Sequence, residues 1–218
     1  IYSNVILFSD SKEALYLKKF FINKSLKLIK KNNNNLTDIK LEKIEYGLES
    51  LYLTYTKFIV LTGLAIILGI FKEYIILLVA YNVIRTFSFG LHATKSIYCL
   101  LSSLICFIGG VYVCEYLYIP LTIKILVSIF CVYCLIRYAP ADTEKRPLIN
   151  KRKREMYKVI SVMLGCCYLV LICIFNKHIV SNYLLVGMVE AVIMIHPLIY
   201  KLFNLPFDNY KNYNFGHN

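Results

Sequence analysis

Phe58-Ile-Val-Leu-Thr-Gly-Leu-Ala-Ile-Ile-Leu-Gly69-Ile-Phe-Lys72-Glu73-Tyr74-Ile-Ile-Leu-Leu-Val-Ala-Tyr-Asn82-Val-Ile84 reads in two ways, and the choice sets the topology of the whole chain. As one long helix it carries Lys72 and Glu73 at mid-membrane depth. As two apolar segments, Leu51–Ile70 and Tyr74–Phe87, it places that charged pair in a turn. A membrane span needs about 20 mostly apolar residues, so the second segment is short. Four further apolar segments follow, Ile97–Tyr118, Leu121–Tyr138, Met156–Phe175 and Ile179–Phe203. Pro197 is expected to kink the last of them, because proline removes a helical N–H.

Loop charge separates the two readings, since cytoplasmic loops are enriched in Lys and Arg. With the N-terminus inside and six crossings, the inside holds the lysine-rich N-terminal region, Arg85, Lys95, Arg137, the basic run from Lys145 to Arg154, Lys158, Lys201 and Lys211. The outside holds only Lys72, Lys124 and Lys177. Five crossings export the most basic loop of the chain. The expected fold is therefore an all-α polytopic membrane protein: N-terminal amphipathic helices, then about six transmembrane helices, with both termini cytoplasmic.

Composition agrees. Of 218 residues, 58% are hydrophobic and 17% charged, where a soluble domain is about a quarter charged. Lipid replaces water around much of such a surface. The formal charge is +12, but most cations flank apolar runs. This points to membrane orientation and anionic lipid, not to nucleic acid. The eight cysteines lie mostly inside apolar runs, where free cysteine behaves as a small hydrophobe, and no disulfide framework is expected. Cys131 and Cys134 form a CxxC without a second Cys or His pair, so helix packing is expected there in place of zinc or redox chemistry. No metal or cofactor is expected, and no phosphate-binding glycine loop supports nucleotide-driven transport.

One integral-membrane domain is expected over residues 1–218. Residues 1–50 form a membrane-surface region, 51–203 the bundle and 204–218 a polar tail. Ser9 to Lys31 reads as an amphipathic helix for the headgroup plane, with Leu15, Phe20, Phe21, Leu26 and Ile29 among seven lysines. Asn32 to Asn35 interrupts the pattern, and Leu36 to Ser50 resumes it. No cleavable signal peptide is expected, since a lysine-rich amphipathic stretch follows the first residues.

The chemistry-bearing residues are His92 and Cys99, seven residues apart where an apolar segment meets water. A thiolate is a strong nucleophile, and a nearby imidazole or cation favours that form. With Ser96 or Thr94 as a cap, Cys99 falls in the first turn of the next helix, where free N–H groups and the helix dipole favour an anion. Arg85 and Lys95 add positive charge. On one continuous helix the two positions are about 10.5 Å apart along the axis, too far for a base. The chain must therefore break near Gly90, or the helix must begin after His92. Asp142, Glu144 or Glu155 could orient the imidazole, and a dyad without an acid serves equally well. Ser103, Lys145 and Arg146 complete the candidate set. Glu190, near the middle of the last span, argues for a rival reading, a small transporter or peptide exporter, because intramembrane acids are costly. It can instead serve an internal structural role, bonded to Asn82 or a serine.

Arg85, then Phe89-Gly90-Leu91-His92-Ala93, then Cys99 resembles the accessory gene regulator B family, whose members carry an arginine, Gly-Gly-x-His-Ala, and a cysteine seven residues after the histidine. Tyr138-Ala-Pro140-Ala-Asp142-Thr and Pro147 resemble the family's later loop. Phe89 departs from the pattern, standing in place of the first glycine. The resemblance implies a membrane cysteine endopeptidase of bacterial quorum sensing. Its substrate would be a short accessory gene regulator D-type propeptide, trimmed of its acidic tail to leave a cyclic thiolactone or lactone peptide. It implies His92 as base, Cys99 as nucleophile, Arg85 and Gly90 in support, and a homodimer in the bacterial cell membrane.

Overall fold

The computed structural model describes residues 12–32, 37–91, 96–143 and 147–212. These are overwhelmingly helical. In chain order the helices are α1 (Lys12–Asn32), α2 (Asp38–Ile67), α3 (Phe71–Ser88), α4 (Ser96–Leu104), α5 (Gly110–Tyr116), α6 (Leu121–Tyr138), α7 (Lys151–Ile174), α8 (Val180–Ile195) and α9 (Pro197–Leu202). A π-helical turn, Ile105–Gly109, joins α4 to α5, and a short 3-10 turn spans Asn209–Asn212. Among the described residues, three stretches are long and apolar enough to cross a membrane: Gly47–Ile67, Leu121–Tyr138 and Lys151–Ile174. Leu100–Tyr116 and Val180–Ile195 are shorter apolar helices.

The chain divides into two compact units, Ile1–Leu68 with Ala93–Ser102, and Gly69–His92 with Ser103–Asn218. In the first, α1 lies on α2: Ile22 is buried, the tilted rings of Phe21 and Tyr52 have centroids 5.8 Å apart, and Lys18 pairs with Glu49. Phe20, Leu28 and lysines 19, 24, 27, 30 and 31 remain exposed, the mixed surface of a headgroup-plane helix. The second amphipathic stretch and the first apolar segment form one helix, because nothing between Asp38 and Ile67 breaks it. That helix does end before Lys72: Gly69 takes φ 71, a conformation that favours glycine, and α3 starts at Phe71. Phe58–Ile84 is therefore two helices.

In the second unit, α3, α6, α7 and α8 pack around a core that includes Ile84, Leu135, Ile172, Met188 and Ile195, and α5 lies against α3 and α8. Small residues set the helix spacing. A Cβ at Gly187 would lie 2.9 Å from both Ala80 Cβ and Tyr81 N, so α8 meets α3 backbone to backbone. Gly165 likewise admits Leu135 of α6 against α7. Cys131 and Cys134 are buried in this core, the packing role expected of them. Tyr168 donates its hydroxyl hydrogen to the Ala80 carbonyl at 3.0 Å, which satisfies a buried polar group. Leu126, Phe130, Met163 and Val170 point outward and exposed, as lipid contact requires.

Consecutive helices run between two ends of this bundle. At one end Lys124 donates to Ser181 Oγ at 2.6 Å, Asn182 to the Cys114 carbonyl at 2.9 Å, and Tyr183 to Glu115 at 2.5 Å. At the other end the C-termini of α3, α6 and α8 meet. There the sixth apolar segment, expected to continue to Phe203, is interrupted outright. α8 stops at Ile195, and Pro197 opens α9 with His196 Nδ1 accepting from Leu198 N. Proline at the first position of a helix costs no hydrogen bond, so a new helix starts where a kink was expected.

Candidate functional site

The site is built on the break after α3. Phe89 takes φ 56 and ψ −136, and Gly90 takes φ 109. These values turn the chain away from the helix axis. Gly90 N donates to the Ala141 carbonyl at 2.7 Å, and Ala141 N donates to the Ser88 carbonyl at 3.0 Å. A parallel bridge thus links Phe89 to Ala141. Leu91 N then donates to the Met194 carbonyl at 2.9 Å, near the C-terminus of α8. Arg85, in the last turn of α3, donates from Nη2 to the Leu91 carbonyl at 2.6 Å. Three elements converge on the residues just before His92.

Gly90 has no room for a side chain. A Cβ there would overlap Arg85 Nη1 and lie 2.5 Å from the Met194 oxygen. Phe89 occupies a backbone region that a Cβ disfavours by roughly 1–3 kcal/mol. Its ring packs on Tyr157 of α7, with centroids 5.1 Å apart. The strained position is the one at which the resembled pattern has its first glycine.

Arg85, Gly90 and Asp142, all expected from the sequence, line one cavity of about 190 Å³ with Thr86, Phe89, Ala141 and Thr143. Asp142 is buried, and its carboxylate accepts three backbone N–H groups: Asn209 at 2.9 Å on Oδ1, and Tyr210 at 2.8 Å and Leu148 at 3.2 Å on Oδ2. It thereby fastens the chain after α9 to the loop after α6. Tyr200 donates to the Asp142 carbonyl at 3.1 Å. Sequence reasoning missed Met194, Tyr200, Asn209 and Tyr210. The turn formers Pro206, Asp208 and Asn209 were the available sign that residues 204–212 fold back instead of trailing.

The other candidates are placed as follows. The described part of α4, Ser96–Leu104, includes the backbone of Cys99. The Cys99 side chain, and His92, Glu144, Lys145 and Arg146, lie outside the described residues. Ser103 is buried one turn beyond Cys99 and does not line the cavity. Glu155 is exposed. Glu190 is buried on α8, 2.8 Å from where a Gly110 Cβ would stand, while Asn82 is exposed and bonds within its own helix to the Leu78 carbonyl. Among the described residues no group of three His, Cys, Asp or Glu could hold a metal.

The family model described as "Accessory gene regulator B" matches residues 22–195, a span holding Arg85, Gly90, Cys99 and Asp142. The chain belongs to the accessory gene regulator B family. It is 32% identical to a "Putative AgrB-like protein" of Clostridium acetobutylicum over 193 residues, 87% of this chain and 90% of that one. A "Putative AgrB-like protein" of Listeria innocua is 33% identical over 78% of this chain and 84% of its own length. The "Accessory gene regulator protein B" of Staphylococcus aureus is 29% identical over 77% and 88%. No solved structure matches significantly. For this AgrB-family chain, the clamp around Gly90 and Leu91 lies inside the matched region, whereas the residues that bind Asp142 from beyond α9 lie outside it.

Proposed function

We propose that this chain is a membrane-embedded cysteine endopeptidase of agr quorum sensing that processes an AgrD-type propeptide into a cyclic autoinducing peptide. The observation that carries this reading is the convergence of Arg85, Met194 and Ala141 on Gly90 and Leu91, the two residues that precede His92 in the sequence. A catalytic base needs a fixed approach, and a clamp of this kind supplies it.

In the proposed reaction Cys99, as thiolate, attacks the scissile carbonyl of the propeptide. The C–N bond breaks, His92 passes the thiol proton to the departing amine, and the acidic tail leaves. The acyl group stays on Cys99 as a thioester. A propeptide cysteine, or serine, then attacks this thioester, forms the thiolactone or lactone bond and returns the thiol of Cys99. Exclusion of water favours ring closure over hydrolysis. Lys145 and Arg146 give the acidic tail a basic partner.

The proposed setting is a bacterial cell membrane crossed six times, with both termini and the site on the cytoplasmic side. Arg137, lysines 151 and 153, Arg152, Lys201 and Lys211 are exposed around the end of the bundle that carries the cavity, which supports this orientation. The resemblance to the family favours a homodimer. Coexpression with the tagged propeptide tests the reading. Cys99→Ala should abolish cleavage while Cys106→Ala retains it, and normal cleavage by Cys99→Ala refutes the assignment.

A further inference from the structure

Residues 204–212, beyond the region that matches the family, form a strap with two attachments. The first is apolar. Phe207 places its ring edge-on to Tyr200 at 5.1 Å and to Tyr138 at 6.4 Å, and Leu205 N donates to the Tyr200 carbonyl at 2.9 Å. The second is polar and centres on one carboxylate. Asp142 accepts the N–H groups of Asn209 and Tyr210, while Arg154 of α7 lies 3.7 Å over the Tyr210 ring. Asn209 is itself buried, its side-chain amide bonded to the Pro206 carbonyl at 2.9 Å. A surface tail has no reason to bury an asparagine and direct two consecutive N–H groups at one acid.

The peptide units at Ala141 and Asp142 are held from both sides. The strap and Tyr200 hold Asp142, and Ser88 and Gly90 hold Ala141. We infer that docking of the strap on Asp142 positions the catalytic base. It does so by fixing the Ala141 peptide, on which Gly90 is registered, and Gly90 and Leu91 lead in sequence to His92. Asp142 and the strap are positioning elements in this scheme and touch no substrate. A buried carboxylate suits the task because charge-assisted bonds to N–H groups are shorter and about twice as strong as neutral ones. The inference rests on the endopeptidase reading above.

The test uses the full chain in membranes, with iodoacetamide as the probe of Cys99. Its alkylation is read by mass spectrometry of the Cys99 peptide between about pH 5 and 9, alongside propeptide cleavage. Tyr210→Pro deletes the N–H that reaches Asp142, whereas Tyr210→Ala removes the ring and keeps that N–H. Tyr210→Pro and Asp142→Ala should each slow Cys99 alkylation at neutral pH about tenfold, flatten its pH profile toward that of His92→Ala, and lower kcat for cleavage more than they raise KM. Tyr210→Ala should stay near wild type, and the double variant Asp142→Ala/Tyr210→Pro should be no worse than Asp142→Ala alone, because the two changes remove one interaction. Asp142→Asn keeps the side-chain shape and one acceptor oxygen, and decides the matter if Asp142→Ala does not accumulate. Wild-type alkylation and cleavage in Asp142→Asn and Tyr210→Pro overturn the inference, as does a Tyr210→Ala defect equal to that of Tyr210→Pro. Cleavage that survives Cys99→Ala instead brings down the endopeptidase reading itself, so the two failures are distinct.

Discussion

Gly90→Ala is the sharpest perturbation of the clamp. Its added Cβ meets Arg85 Nη1 and stands 2.5 Å from the Met194 carbonyl oxygen and 2.9 Å from the carbonyl carbon. Neither obstacle is the free end of a flexible chain, because Arg85 is bonded to the Leu91 carbonyl and the Met194 oxygen accepts from Leu91 N. Alanine at φ 109 adds backbone strain of roughly 1–3 kcal/mol. Relief requires the Leu91 segment to retreat by roughly 1 Å, a displacement that can cost about 10²-fold in rate. Retreat also weakens the Leu91–Met194 bond, worth about 1 kcal/mol, and the guanidinium–carbonyl bond, worth about 1.5–3 kcal/mol. The helices need not move, since neither bond belongs to their packing. The expected result is normal accumulation in the membrane with propeptide cleavage reduced about 10²-fold, measured as initial rates by immunoblot of a tagged propeptide. Gly90→Ala cleaving within about threefold of wild type, a barrier change under about 1 kcal/mol, would refute the clamp.

Other outcomes follow from the same geometry. Arg85→Lys keeps the charge but loses the planar fork that reaches the Leu91 carbonyl, so cleavage should fall about tenfold with the protein level unchanged, as read by the same immunoblot. Gly187→Ala forces a methyl against Ala80 and the Tyr81 nitrogen, and should destabilise the α3–α8 contact by about 1–3 kcal/mol, seen as a lower aggregation temperature in detergent. Glu190→Gln preserves the shape of a buried side chain outside the cavity, so cleavage should stay within about twofold of wild type; a loss of peptide export at intact cleavage would favour the transporter reading instead.

How much was readable in advance depends on the range of the interaction concerned. The break between α2 and α3 was legible because Gly69, Lys72 and Glu73 are neighbours, and charge and glycine act locally. The amphipathic character of α1 was legible for the same reason, as was the packing role of Cys131 and Cys134 inside an apolar run. The end of the last apolar segment was half legible. Pro197 marks it, but sequence alone does not distinguish a kinked helix from one that stops and restarts. The surface region and first span merging into a single helix was not anticipated, because a change of composition near residue 50 is not a change of backbone conformation.

The site divides along the same line. Arg85 and Gly90 could be picked out from spacing and from a recognisable pattern, and Asp142 from its place in a charged loop. The task each performs could not. The carboxylate of Asp142 accepts N–H groups of Leu148, Asn209 and Tyr210, the last two arriving from 67 and 68 residues away. Phe89 was noted as a departure from a glycine pair, and the backbone shows what that departure means: a phenylalanine held at positive φ by packing on Tyr157.

Helix content, apolar faces and the residue types able to perform thiol chemistry are properties of short windows of chain, and hydrophobic burial follows them directly. Which carbonyl holds Leu91, which N–H groups fill Asp142, and that the last described residues return to the bundle depend on groups far apart in sequence being brought within 3 Å or so of one another. Such pairings exist only after the helices have packed, because each is a directional bond whose partner is supplied by another element.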